Sequence, residues 1–160
     1  MKAVDSLNQA TRLFLNVVPY LLVMTALAKL TIMFSDSIAL ERADPVFYFL
    51  TVRQVTIFAG FLEFLAVVIL WSRSFSKFTQ STALLWLSLV FLGYRAARYI
   101  IGVTSPCHCL GSVPNWLPVL PANLLDWVAT AIAILLLVGS AITLFCEWHA
   151  EGVPRDSLVV

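Results

Sequence analysis

Four long apolar stretches set the fold of this chain, because each reaches the roughly 20 residues a helix needs to span a bilayer. They lie near Leu13–Phe34, Leu50–Trp71, Thr82–Val103 and Ala122–Trp148. In lipid no water satisfies the backbone, so helix is the only sensible state for such segments. The composition agrees. Of 160 residues, 61% are hydrophobic and only 12% charged, with a mean hydropathy of +0.92. A soluble domain is closer to half apolar and a quarter charged. The net charge of +1 excludes the clustered Lys and Arg of a nucleic-acid footprint. The first stretch is too long for a signal-peptide core and carries Asn16, Pro19 and Lys29, so it is kept as a spanning helix. The expected fold is all-α: a single domain, residues 1–160, forming a four-transmembrane-helix bundle in the lipid bilayer.

Four helices put both termini on one side. That side holds Lys2, Arg12, Arg73, Lys77 and Arg155. The opposite side holds Arg42 and Arg53 together with Asp36, Glu41 and Asp44. The positive-inside rule then places the termini and the 2–3 connection in the cytoplasm, with the other two loops outside. In a bacterium this is the inner membrane, with the outer loops in a periplasm where thiols can be held oxidised. Asp44-Pro45 marks a turn or helix start before the second span. The loop between the third and fourth spans holds Pro106, Pro114, Pro118 and Pro121, which stiffen it and keep it from being helical throughout. Trp116 and Trp127 suit an interfacial belt.

That Pro-rich outer loop carries Cys107-His108-Cys109-Leu110-Gly111, the strongest chemical signal in the chain. Two thiols one residue apart can close a small strained ring, and strained exposed disulfides are oxidising and labile. His108 between them can stabilise a thiolate, as cationic neighbours do. Three other readings fit the same residues. The pair can be a permanent disulfide, although so small a ring adds little loop-closure entropy. It can bind a soft metal such as Cu(I), but three adjacent candidates without a further ligand assign no metal site. It can also be disulfide-bonded to a partner chain. The third cysteine, Cys146, lies near the cytoplasmic end of the last span and is expected to be a reduced packing residue.

Ions inside spanning helices are costly and face a partner or a cavity. Arg53, Thr56, Gly60 and Glu63 share one face of the second helix, Arg95, Arg98 and Gly102 one face of the third, and Asp126, Thr130, Ala133, Leu137 and Ser140 one face of the fourth. At about 1.5 Å per residue, Arg98 and Asp126 lie within about 10 Å of the outer boundary. Lys29, Arg53, Arg95, Arg98 and Asp126 therefore gather beneath the Cys-His-Cys loop. Arg95 or Arg98 with Asp126 reads as a structural ion pair between helices, in preference to a direct catalytic role. Lys29 either joins this cluster or snorkels to the outer interface. Glu63 lies nearer mid-membrane with no evident partner at its depth, where a proton-transfer or quinone-contact role competes with a structural one.

The order of these elements resembles the MauE/DoxX-type family of small redox-associated membrane proteins. Lys29-Leu30 ends the first helix. Asp44-Pro45 and an aromatic stretch precede a second helix with a buried acid at Glu63, and a Cys-x-Cys-x-Gly loop precedes the last helix. The family loop is typically Cys-Gly-Cys-Phe-Gly, so His108 and Leu110 are departures. The resemblance implies a four-helix membrane protein tied to thiol or quinol redox chemistry, and to maturation of disulfide-rich periplasmic proteins or quinone-linked oxidation. The expected function is thiol–disulfide exchange at Cys107 and Cys109, with His108, Arg95 and Arg98 favouring the thiolate. Asp126, Lys29 and Glu63 support the site. Electrons would pass to a periplasmic thioredoxin-like or substrate protein, or to a quinone near Glu63. A non-catalytic accessory subunit of a larger membrane complex, or a copper- or haem-handling factor, are the alternatives.

Overall fold

The structure, a computed structural model, describes residues 2–34, 38–72, 74–103 and 122–151. Four helices account for most of them: α1 Lys2–Leu30, α2 Val52–Trp71, α3 Lys77–Ile100 and α4 Ala122–Glu151. No strand forms among the described residues. Each helix contains a window long and apolar enough to cross a membrane, namely Leu13–Leu30, Val52–Trp71, Lys77–Ile100 and Trp127–Trp148. The chain is a multi-pass membrane protein by this measure of length and composition.

Local chemistry sets the helix ends. α1 starts well before its apolar window, at Lys2 instead of near Leu13, and runs on into a 3-10 turn at Thr31–Phe34. A second 3-10 turn spans Ile38–Glu41. α2 opens with a capping box: Thr51 Oγ1 accepts from the Gln54 amide at 3.3 Å, and Gln54 Oε1 accepts from the Thr51 amide at 2.9 Å. α3 starts at Lys77 because Ser76 caps it, accepting from the Thr79 amide at 3.2 Å. It ends at Gly102, whose φ of 77° is open to glycine at no steric cost. There the amides of Gly102 and Val103 turn back to the carbonyls of Tyr99 and Arg98.

Packing is arranged for lipid, with small and polar residues inside and large apolar residues outside. Ser81, Ser88 and Ser140 are fully buried, while Phe58, Phe61, Phe64, Trp86 and Leu135 are exposed. Ser88, Ser140 and Thr143 return their hydroxyl protons to carbonyls of their own helices, whereas Ser81 Oγ is buried with no hydrogen bond among the described residues. Small interior residues let helices come close. A Cβ on Gly60 of α2 would stand 3.3 Å from Cβ of Lys29 on α1.

α1 packs antiparallel on α2, and α3 antiparallel on α4. The two pairs meet along a thinner seam. Tyr20 against Trp71 and the Lys77–Glu147 ion pair at 3.7 Å mark one end of the bundle, here called the terminal end. The opposite, loop end carries the 31–51 connection and the last turns of α3. The hydrophobic core lies toward the terminal end and is formed by Val18, Leu22, Ala66, Val67, Leu70, Leu84, Leu87 and Leu136.

Candidate functional site

Beyond that core, toward the loop end, the helices border a half-open cavity of about 510 Å³. All four helices contribute to its wall, with Leu62, Val90, Phe91 and Ile132 among the apolar residues. The segment between α1 and α2 also lines it, through Val46, Phe47, Phe49 and Leu50. The polar side chains in the wall are Thr25, Lys29, Thr56, Glu63, Tyr94, Arg95 and Arg98.

Lys29 and Glu63 are 4% and 2% exposed. Lys29 Nζ donates to Glu63 Oε1 at 2.5 Å and also lies 5.2 Å from the centre of the Phe91 ring. One ammonium group therefore ties α1 to α2 through charge and to α3 through an aromatic face. Two expectations are corrected. Lys29 does not reach outward, because its ammonium group is buried and paired with Glu63 between the helices. Glu63 does have a partner at its depth, because Gly60, one turn earlier on α2, lets the two backbones approach. Glu63 Oε2 makes no well-formed hydrogen bond among the described residues, although the Thr25 hydroxyl lies close to the carboxylate.

Thr56, Gly60 and Glu63 turn inward on α2, whereas Arg53 turns aside to Glu41 in an ion pair of 2.9 Å. On α3, Arg98 is buried and Arg95 half-buried, and both line the cavity. Asp126 lies on α4, but its side chain is outside the described residues, as are Cys107, His108 and Cys109. The pairing of Asp126 with Arg95 or Arg98, and the geometry of the thiol pair, therefore have no structural account. Among the described residues no cluster of three or more His, Cys, Asp or Glu side chains forms a metal site. Cys146 is a half-buried free thiol toward the terminal end of α4.

One part of the site escaped the sequence reading. Asp44 is completely buried. Its Oδ1 accepts from the amides of Val46 and Phe47, each at 2.9 Å, and its Oδ2 accepts from the Tyr94 hydroxyl at 2.6 Å. Phe47 stacks on Tyr94 with ring centres 6.1 Å apart and planes 9° apart, and Arg98 lies 6.0 Å from the centre of the same ring. The stem of the segment is closed by the Asp44 amide to Leu50 carbonyl bond and the Val52 amide to Arg42 carbonyl bond. The Asp-Pro pair signalled a turn, and Asp does bond to amides two and three residues on. Nothing local signalled that its other oxygen would hold Tyr94, fifty positions away. The result is an irregular segment with its polar groups satisfied, fastened over the cavity.

Comparison with protein-family models, with curated proteins and with solved structures yields no match to this chain.

Proposed function

We propose that this chain is a membrane thiol–disulfide redox protein in which Cys107 and Cys109 cycle between dithiol and disulfide. The observation that carries the reading is the gathering of Arg95 and Arg98 in the last turns of α3, at the loop end, where the chain leaves the bundle toward Cys107. Positive charge near a thiol favours the thiolate, which is the attacking species in disulfide exchange. Oxidation of the pair forms one S–S bond and releases two electrons and two protons. The accepting disulfide, on a periplasmic thioredoxin-like or substrate protein, takes them up as two thiols. The likeness to MauE/DoxX-type proteins, in the order of Lys29, Asp44-Pro45, Glu63 and the Cys-x-Cys-x-Gly loop, supports the same chemistry. So does the charge distribution that places the termini in the cytoplasm and the loop end in the periplasm of a bacterial inner membrane.

The test is the midpoint potential of the Cys107–Cys109 pair, read by alkylation and mass spectrometry in defined redox buffers. A reversible pair above about −250 mV falls among exchange catalysts. A pair that stays oxidised below about −300 mV is a structural disulfide and turns the assignment to an accessory subunit.

A further inference from the structure

We propose that the loop-end cavity is a binding site for a long-chain fatty acid, loaded sideways from the bilayer between α2 and α3. The carboxylate rests at Arg95 and Arg98, and the chain lies on the apolar wall below them. The site stands apart from the redox reading, and no thiol takes part in it.

The first observation is the mouth. On the helices, the wall residues that are also exposed are Phe58 of α2 and Leu89, Val90 and Gly93 of α3. Neither α1 nor α4 adds one. All four lie inside the spanning windows Val52–Trp71 and Lys77–Ile100, so the cavity opens to lipid. α2 and α3 meet along the thinner seam between the two helix pairs, where a flexible chain can pass. The loop end is covered instead. Val46, Phe47 and Leu50 line the cavity from the 31–51 connection, and Asp44 fastens that segment to the Tyr94 hydroxyl at 2.6 Å.

The second observation is a polarity gradient along the membrane normal. Arg95 and Arg98 lie within about 8 Å of the end of α3 at about 1.5 Å per residue, the depth of lipid head groups. Leu22 and Leu136, shared with the hydrophobic core, line the deep end. A polar top over an apolar bottom is the build of an amphiphile. The volume of about 510 Å³ falls within the range of small-molecule sites, about 300–1,000 Å³.

The third observation is the chemistry at the top. Two guanidinium groups one helical turn apart present planar forks that match a carboxylate. Both arginines keep contacts within the protein, Arg98 with the Tyr94 ring among them, and the five N–H donors of each serve more than one acceptor. The acids nearby are engaged elsewhere. Glu63 is bonded to Lys29, and Asp44 accepts from two amides and from Tyr94. A small acid head suits the space under the covering segment. A glycerophosphate head, which needs water around it, does not.

The probe is a palmitic acid bearing a diazirine in its chain, and the sample is the full chain in phosphatidylcholine nanodiscs. Photolysis and mass spectrometry map the labels. Labels on Leu62, Phe91 or Ile132 are expected, and labels confined to outward positions such as Phe64 and Val138 overturn the site. Excess oleate should suppress labelling about tenfold or more, whereas methyl oleate, which keeps the chain and loses the charge, should not. Equal competition by methyl oleate overturns the carboxylate contact. Equal competition by dioleoylphosphatidylglycerol shows that an ordinary lipid fills the space and overturns the fatty acid as occupant.

Two variants act on different parts of the site. Arg95→Gln, Arg98→Gln is expected to lower affinity about tenfold or more, the size of a lost charge-assisted hydrogen bond. Gly93→Trp blocks the mouth at a position where a Cβ meets no atom within 4 Å, so the bundle tolerates it, and labelling should fall with both arginines intact. Lys77→Ala, at the terminal end, should label as wild type. Wild-type labelling in both Gly93→Trp and the arginine variant overturns the proposal.

Discussion

Toward the terminal end, Leu22, Val67, Leu84 and Leu136 meet and fill the space between four helices. Toward the loop end the same helices add Ala59, Gly93, Ala97, Ala129 and Ala133 to larger wall residues such as Leu62, Phe91 and Ile132, and border a half-open cavity with an ion pair in it. The helix pairs α1–α2 and α3–α4 persist through both halves, so the difference lies in the side chains between the pairs. Large aliphatic groups close one half. Small residues and ions leave the other open. In lipid, helix association draws on packing and hydrogen bonds, since tails are as apolar as leucine. The packed half therefore carries most of the cohesion between the pairs, and the hollow half is free to hold a ligand.

The sharpest way to break this contrast is to unbalance the ions in the hollow half. Lys29→Met alone leaves Glu63 buried without its counter-ion and is expected to destabilise the bundle by about 3–5 kcal/mol in SDS-titration unfolding. The double variant with Glu63→Gln should recover most of that loss, and failure to recover would show that the pair does more than cancel charge. Next comes a matched pair of truncations. Leu84→Ala, in the packed half, should cost about 2 kcal/mol, at the low end of the Leu→Ala range because the separated helices still rest in lipid. Leu62→Ala, beside an existing cavity, should cost less than half as much, and equal losses would erase the distinction between the halves. Tyr94→Phe removes the hydroxyl bonded to Asp44 and should cost about 1.5 kcal/mol. Its larger signature should be faster hydrogen exchange at the amides of Val46 and Phe47. Lys77→Ala at the exposed terminal-end pair should move stability by less than about 0.5 kcal/mol.

The four helices were legible in the sequence because lipid leaves a twenty-residue apolar run few alternatives. The inward faces of α2 and α3 were legible too, since Thr56, Gly60 and Glu63, or Arg95 and Arg98, recur at helical spacing. What escaped depended on contacts between distant segments. Hydropathy carried the first span to Phe34, but it does not say which residue Lys29 meets. Its partner Glu63 lies thirty-four positions on, and they meet because Gly60 lets α1 come close. Asp44 advertised a turn, but its bond to Tyr94 depends on how the loop folds back over α3. The polar stretch from Lys2 carries no spanning signal, yet it continues the helix beyond the apolar window.

Joining Lys29 to Glu63 also bears on how the polypeptide enters a membrane. Taken singly, α1 and α2 each bring a deep ion whose transfer to the hydrocarbon interior costs about 2.5–3.5 kcal/mol on insertion scales. Side by side they bring a neutral, hydrogen-bonded pair. The hairpin formed by α1, the 31–51 connection and α2 is thus the smallest piece of the chain that delivers these two side chains without an unmatched charge. A nascent chain released after α1 alone is a poorer substrate for the insertion machinery than one released after α2.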